Sequence, residues 1–102
     1  MLVTIVRAGG LAALVRRTAL DSVVLPTDAA RQLRELVEVL PWAPDPPRAA
    51  GGPDELLYEL TVVDDDMTWN ARTTEQGLAE EERLLIAFVD GRPERVDGVE
   101  SL

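Results

Sequence analysis

A pair of glycines interrupts the apolar N-terminal run Leu2-Val3-Thr4-Ile5-Val6-Arg7-Ala8-Gly9-Gly10-Leu11-Ala12-Ala13-Leu14-Val15-Arg16-Arg17. Valine, isoleucine and threonine suit a pleated surface, while adjacent glycines accept the positive φ angles of a tight turn. The run therefore predicts a β-hairpin, with residues 2–8 pairing with residues 11–20 about Gly9-Gly10. If the glycines are the two central turn residues, Ala8 faces Leu11, Val6 faces Ala13 and Ile5 faces Leu14. One face then carries Leu2, Val6, Leu11 and Val15, and the other carries Val3, Ile5 and Leu14 beside Arg7 and Arg16. Periodicity does not choose between them.

Helical spacing appears next. Ala30, Leu33, Leu36, Val37 and Leu40 recur every three or four residues, with Arg31, Gln32, Arg34, Glu35 and Glu38 mainly elsewhere around the cylinder. This predicts a helix from Pro26-Thr27-Asp28 to about Leu40. Its start is read in two ways: Pro26 at an early position that needs no amide donor, or Thr27 as N-cap with Asp28 against the positive dipole end. Pro41 stops the helix. Residues 41–55 make a long connection suited to binding or to wrapping a sheet edge, in which Trp42 either packs into an apolar pocket or meets a partner.

Alternation then returns. Leu56, Tyr58, Leu60 and Val62 alternate with Leu57, Glu59, Thr61 and Val63, and Asp64-Asp65-Asp66 breaks the strand. Residues 67–73 come back as a fourth strand, with Met67, Trp69 and Ala71 on one side. A second helix is expected from about Leu78 to Val89, packing through Leu78, Glu81, Leu84, Leu85 and Phe88, with Glu81 the misfit. The expected fold is α+β, ordered ββαββα, with a four-stranded antiparallel sheet and two helices packed on one face. Residues 1–89 are read as one domain. Residues 90–102, with Gly91, Pro93, Gly98 and little apolar content, are read as a flexible tail.

Composition narrows the chemistry. The 102 residues are 46% hydrophobic, enough for a core without metal or disulfide support. Histidine and cysteine are absent and all ten basic side chains are arginines, so histidine acid–base chemistry, thiol and lysine nucleophiles and ordinary catalytic zinc ligation are excluded. No enzyme activity and no cofactor are expected. Asp64, Asp65 and Asp66 are weak metal candidates, because hard cations favour carboxylate oxygen, but they lack the spacing of a calcium loop. A solvated hairpin turn is the favoured reading of the run. Gly9-Gly10 is not a phosphate loop, since no Lys-Ser/Thr follows and the setting is strand to strand.

The net charge of -9, from 19 acidic and 10 basic side chains, repels phosphate backbones and argues against nucleic acid. No apolar run approaches the length of a membrane span, and no basic n-region precedes one; a cytoplasmic location is expected.

Arg7-Ala8-Gly9-Gly10-Leu11-Ala12, Asp21 before Leu25-Pro26, Leu33-Arg34-Glu35-Leu36-Val37, Trp42 with Pro44, Pro53-Asp54, Tyr58, Val62 and Leu84-Leu85 occur in an order that resembles the emfourin family. These are small bacterial inhibitors of protealysin-like and thermolysin-like (M4) zinc metalloproteases. The resemblance spans about residues 2–89. It departs at Leu11, where an aromatic residue is common, and at Trp69-Asn70-Ala71, where a histidine is common.

The resemblance implies a noncatalytic inhibitor that occludes a protease cleft through the Gly9-Gly10 hairpin, the 41–55 segment or a sheet edge. The candidate partner interface is Arg7, Gly9, Gly10, Leu11, Trp42 and Pro44. The expected partner is a thermolysin-like metalloprotease and the expected state is a monomer or weak homodimer. The alternative is a regulatory interaction module that keeps the scaffold without inhibition.

Overall fold

The computed structural model describes residues 1–9, 14–40 and 56–101. Strands β1 (Leu2–Gly9) and β2 (Leu14–Asp21) are followed by a short 3₁₀ turn (Ser22–Val24) and helix α1 (Thr27–Glu38). Strands β3 (Leu57–Asp64) and β4 (Met67–Thr74), helix α2 (Glu80–Asp90) and strand β5 (Val96–Ser101) complete the order. The sheet runs β4-β3-β1-β2-β5, with every neighbouring pair antiparallel.

This order dictates where the helices lie. β2 and β3 both run against β1, so α1 joins two parallel strands across it; α2 likewise joins β4 to β5. The two crossovers leave oppositely directed strands and travel in opposite senses along the sheet. The right-handed preference of such connections therefore puts both helices on the same face. Between sheet and helices lies the core: Val3, Ile5, Leu20, Leu60, Val62 and Trp69 from the strands against Ala29, Leu33, Val37, Leu40, Leu85 and Val89. Fully burying a side chain such as Ile5 or Leu33 contributes about 1.5–3 kcal/mol.

Four expectations are corrected. The sheet has five strands, not four, because part of the segment read as a flexible tail supplies β5. That strand pairs along β2 from Leu14↔Ser101 to Ala19↔Val96, and its charge is absorbed locally. Asp97 accepts hydrogen bonds from Thr18 Oγ1 at 3.0 Å and Arg95 Nε at 3.1 Å.

The hairpin register also differs. Ile5 lies opposite Thr18 rather than Leu14, a slip of four positions (18 − 14) that preserves the face of every side chain because four is even. The expected register would have set Arg16 opposite Val3, in the floor of the core. The observed one sets Leu20 there and leaves Arg16 exposed, avoiding the cost of a buried charge. Burial, not register, decides the face: Val3 and Ile5 point inward. Gly9 ends the ladder opposite Leu14 with φ 113°, a backbone conformation that L side chains rarely adopt.

The helix phases complete the corrections. Thr27 is the first helical residue of α1 rather than its N-cap; Pro26 is the cap, and its carbonyl accepts from Ala30 N–H at 2.9 Å. On α2 the buried positions are Glu82, Leu85 and Val89, while Leu84 is exposed. Of the expected stripe, Leu85 is buried and Leu78 and Phe88 pack against the core as read, whereas Glu82 and Val89 take the buried places in preference to Glu81 and Leu84. Glu82 Oε1 accepts from Ala79 N–H at 2.7 Å, satisfying an orphan donor at the helix start.

Candidate functional site

One end of the sheet gathers the segments that the sequence singles out. Gly9 and Leu14 border residues 10–13, and Leu57, which opens β3, sits opposite Ala8. The described residues flanking 10–13 and the C-terminal side of 41–55 are thus neighbours. Gly10, Leu11, Trp42 and Pro44 themselves lie outside the described residues.

Arg7 is not presented to solvent there. Its Nη2 donates to both carboxylate oxygens of Asp90, each at 2.8 Å, and its guanidinium lies 5.7 Å from the centroid of the Tyr58 ring. The side chain is only 11% exposed. Register explains the position: Arg7 lies on the inward face of β1 opposite Tyr58, where the C-terminus of α2 covers the sheet. Arg7 therefore fastens α2 to β1. The 83-residue separation from Asp90 left no local signal of this pair in the sequence.

The opposite end is acidic and apolar together. Asp64 and Met67 pair across the hairpin, and Asp65 takes the left-handed conformation at φ 48°. Asp64 lies 3.9 Å from the N-terminal amine and 3.8 Å from Arg34. Asp65 and Asp66 are exposed turn residues. Among the described residues no group of three or more carboxylates is placed to hold a metal ion.

Beside this hairpin the 3₁₀ turn shows Val23 and Val24 to solvent. Ser22 N–H donates to Met1 O at 2.9 Å, Val23 N–H to Asp21 Oδ1 at 3.0 Å, and Leu25 N–H to Ser22 O at 3.2 Å. The amine of Met1 also donates to Ser22 Oγ at 3.2 Å. The sequence reading did not single out Val23 and Val24. The signal available was Asp21 two residues before Val23, the spacing of a side-chain cap.

On the face away from the helices, Glu59 accepts from Arg72 Nε at 2.7 Å, and Asn70 donates to Thr61 Oγ1 at 2.9 Å. The Arg72 hydrogen bond, aided by Asn70, holds the Glu59 carboxyl below its ordinary range against a smaller opposing effect of burial. Arg92 lowers Glu94 in the same way through its hydrogen bonds. These are structural ion pairs on cross-strand and turn neighbours. No proton-transfer group is poised among them.

The Emfourin family model matches residues 5–90, from within β1 to the end of α2. The chain belongs to the Emfourin family. Emfourins are noncatalytic inhibitors that pair with M4 metalloproteases, and β5 lies beyond the matched span. Neither the curated proteins nor the solved structures give a match to this emfourin. Among the described residues no helix is long and apolar enough to cross a membrane.

Proposed function

We propose that this emfourin inhibits a thermolysin-like zinc metalloprotease by binding it stoichiometrically and occluding the active-site cleft. The family match over residues 5–90 carries the reading. The residue inventory agrees with it, since a chain without histidine, cysteine or lysine acts on a protease by contact rather than by chemistry. A rigid five-stranded sheet backed by two helices supplies surfaces that bind with little reordering. Stable recognition of this kind buries about 1,200 Å² or more in total.

Occlusion makes a specific thermodynamic statement: the emfourin and a small active-site ligand exclude each other. Calorimetric titration into a thermolysin-like metalloprotease is expected to show a tight complex whose apparent affinity falls in proportion to the concentration of a small reversible active-site inhibitor. A complex that forms equally well on the filled cleft, with peptide hydrolysis intact, would instead identify a noninhibitory interaction module.

A further inference from the structure

We infer that the sheet face turned away from the helices is a self-association surface, and that its occupant is the same face of a second copy of this chain. β1 sends Val3 and Ile5 into the core and Leu2, Thr4, Val6 and Ala8 to the other side. An antiparallel sheet with one face in water ordinarily alternates apolar residues inside with polar ones outside, whereas β1 carries no charge on its outer side and only Thr4 is polar there. That is the pattern of a strand covered on both faces. Its neighbours continue the patch: Leu57 is 48% exposed, Val63 39% and Val96 69%, and the register places all three on the face of Val6.

Area and charge select the occupant. Five strands about 4.8 Å apart, most of them eight residues long at about 3.4 Å per residue, present a face of roughly 600 Å² per copy. Two such faces together reach the roughly 1,200 Å² at which stable interfaces begin. Among the described residues this face carries Arg17 and Arg72 against Asp21 and Glu59, a balanced patch on a chain of net charge -9. Two copies therefore meet here without the repulsion that their acidic surfaces impose elsewhere.

The patch is also self-complementary. In the row that crosses the sheet at Val6, β2 contributes Arg17 and β3 contributes Glu59, one strand to either side. A two-fold axis along β1 sets Val6 against Val6 and exchanges the flanks, so that Arg17 of each copy lies over Glu59 of the other. The aligned packing angle of about 30° between sheets shifts these flanking positions by only about 2.5 Å, within the reach of an arginine. Glu59 has an oxygen to offer: Arg72 Nε and Asn70 Nδ2 both donate to Oε2, at 2.7 and 3.4 Å, and Oε1 accepts no bond among the described residues. Further out in the same row the axis brings Arg72 over Gly98, which has no side chain to obstruct it.

Sedimentation equilibrium of the chain alone tests this with no protease present, so the result stands apart from the inhibitor reading. The parent should pass from monomer to dimer with a Kd of about 1–100 μM, the weak end for an interface of this size. Val6→Glu, which sets two carboxylates against each other on the axis, should raise that Kd at least about tenfold while leaving the far-UV circular dichroism unchanged. Arg17→Glu and Glu59→Arg should each stay monomeric where the parent dimerises. An equimolar mixture of the two should form a heterodimer of parent-like affinity, because both cross-contacts then join opposite charges. Val99→Asp, on edge strand β5 but on the helix side, should dimerise as the parent does. A parent that remains monomeric at about 1 mM, or a dimer lost only in Val99→Asp, overturns the proposal. Charge variants that fail to pair when mixed overturn the two-fold arrangement.

Discussion

Removing the Arg7–Asp90 pair should loosen α2 from β1 without abolishing the fold, and its size can be worked from the geometry. Both hydrogen bonds are 2.8 Å, Arg7 is 11% exposed and Asp90 is 43% exposed. A fully exposed pair contributes at most about 1 kcal/mol, whereas cutting one partner of a fully buried pair costs about 3–5 kcal/mol. Asp90 keeps much of its water, so the true value falls between. Asp90→Ala should cost about 2 kcal/mol, because it strips a largely covered guanidinium of its bidentate acceptor.

Arg7→Met keeps an apolar stem against Tyr58 and should cost about 1.5 kcal/mol. With a coupling of about 1 kcal/mol, the double variant should lose about 2.5 kcal/mol, less than the sum of the single losses. Urea denaturation of all four proteins, fitted as two-state transitions with a common slope, measures the cycle. A coupling below about 0.3 kcal/mol would show that the contact is incidental and the reasoning wrong. Because Arg7 is turned inward, Arg7→Met should also retain protease affinity within about threefold while folded. A larger loss would make Arg7 a direct contact.

Three further outcomes follow from local chemistry. Glu82→Ala should destabilise by about 2 kcal/mol by stranding the Ala79 N–H beside an apolar void, while Glu82→Gln, which still accepts that bond, should lose less than half as much; thermal melts separate them. Asp65→Gly should fall within about 0.5 kcal/mol of the parent, because glycine accepts φ 48° freely, but Asp65→Val should lose about 1–2 kcal/mol in denaturant titrations. Glu59 is lowered in the folded state, so its stabilising contribution is full above the unfolded glutamate pKa and is lost as pH falls through the folded value. Glu59→Gln should accordingly flatten the acid limb of stability measured from about pH 7 to about pH 3, and an unchanged limb would count against the Arg72 hydrogen bond.

The elements legible in the sequence were those whose periodicity has one physical reading. Leu60 and Val62 alternate with polar neighbours against a single buried face, and Leu33, Val37 and Leu40 follow one helical stripe; both are buried as the patterns require. β5 was illegible because Val96-Asp97-Gly98-Val99 carries little apolar surface, and its stability comes from pairing with β2, far away in the chain. The hairpin register was misread because two glycines favour a two-residue turn locally, whereas the ladder is set by the cost of placing Arg16 rather than Leu20 opposite Val3. A buried carboxylate on α2 was anticipated, yet Glu82 rather than Glu81 occupies it. The spacing from Ala79 to Glu82 was the available clue, obscured by an alanine where a polar cap is usual.

The candidate interface divides along the same line. Family-like residues near Gly9-Gly10 could be picked out in the sequence, but the inward orientation of Arg7 depends on a strand register and on a helix that ends at Asp90. The exposure of Val23 and Val24 was not read from the sequence, where Asp21, two residues before Val23, was the one sign of a capped turn.

Titration of a thermolysin-like zinc metalloprotease with this emfourin, well above the dissociation constant, tests the central claim most directly. Inhibition by occlusion predicts a linear fall of peptide hydrolysis to near zero at one emfourin per enzyme, with the emfourin recovered intact. Full activity at severalfold excess, with no complex on size-exclusion chromatography across a panel of such proteases, would contradict it.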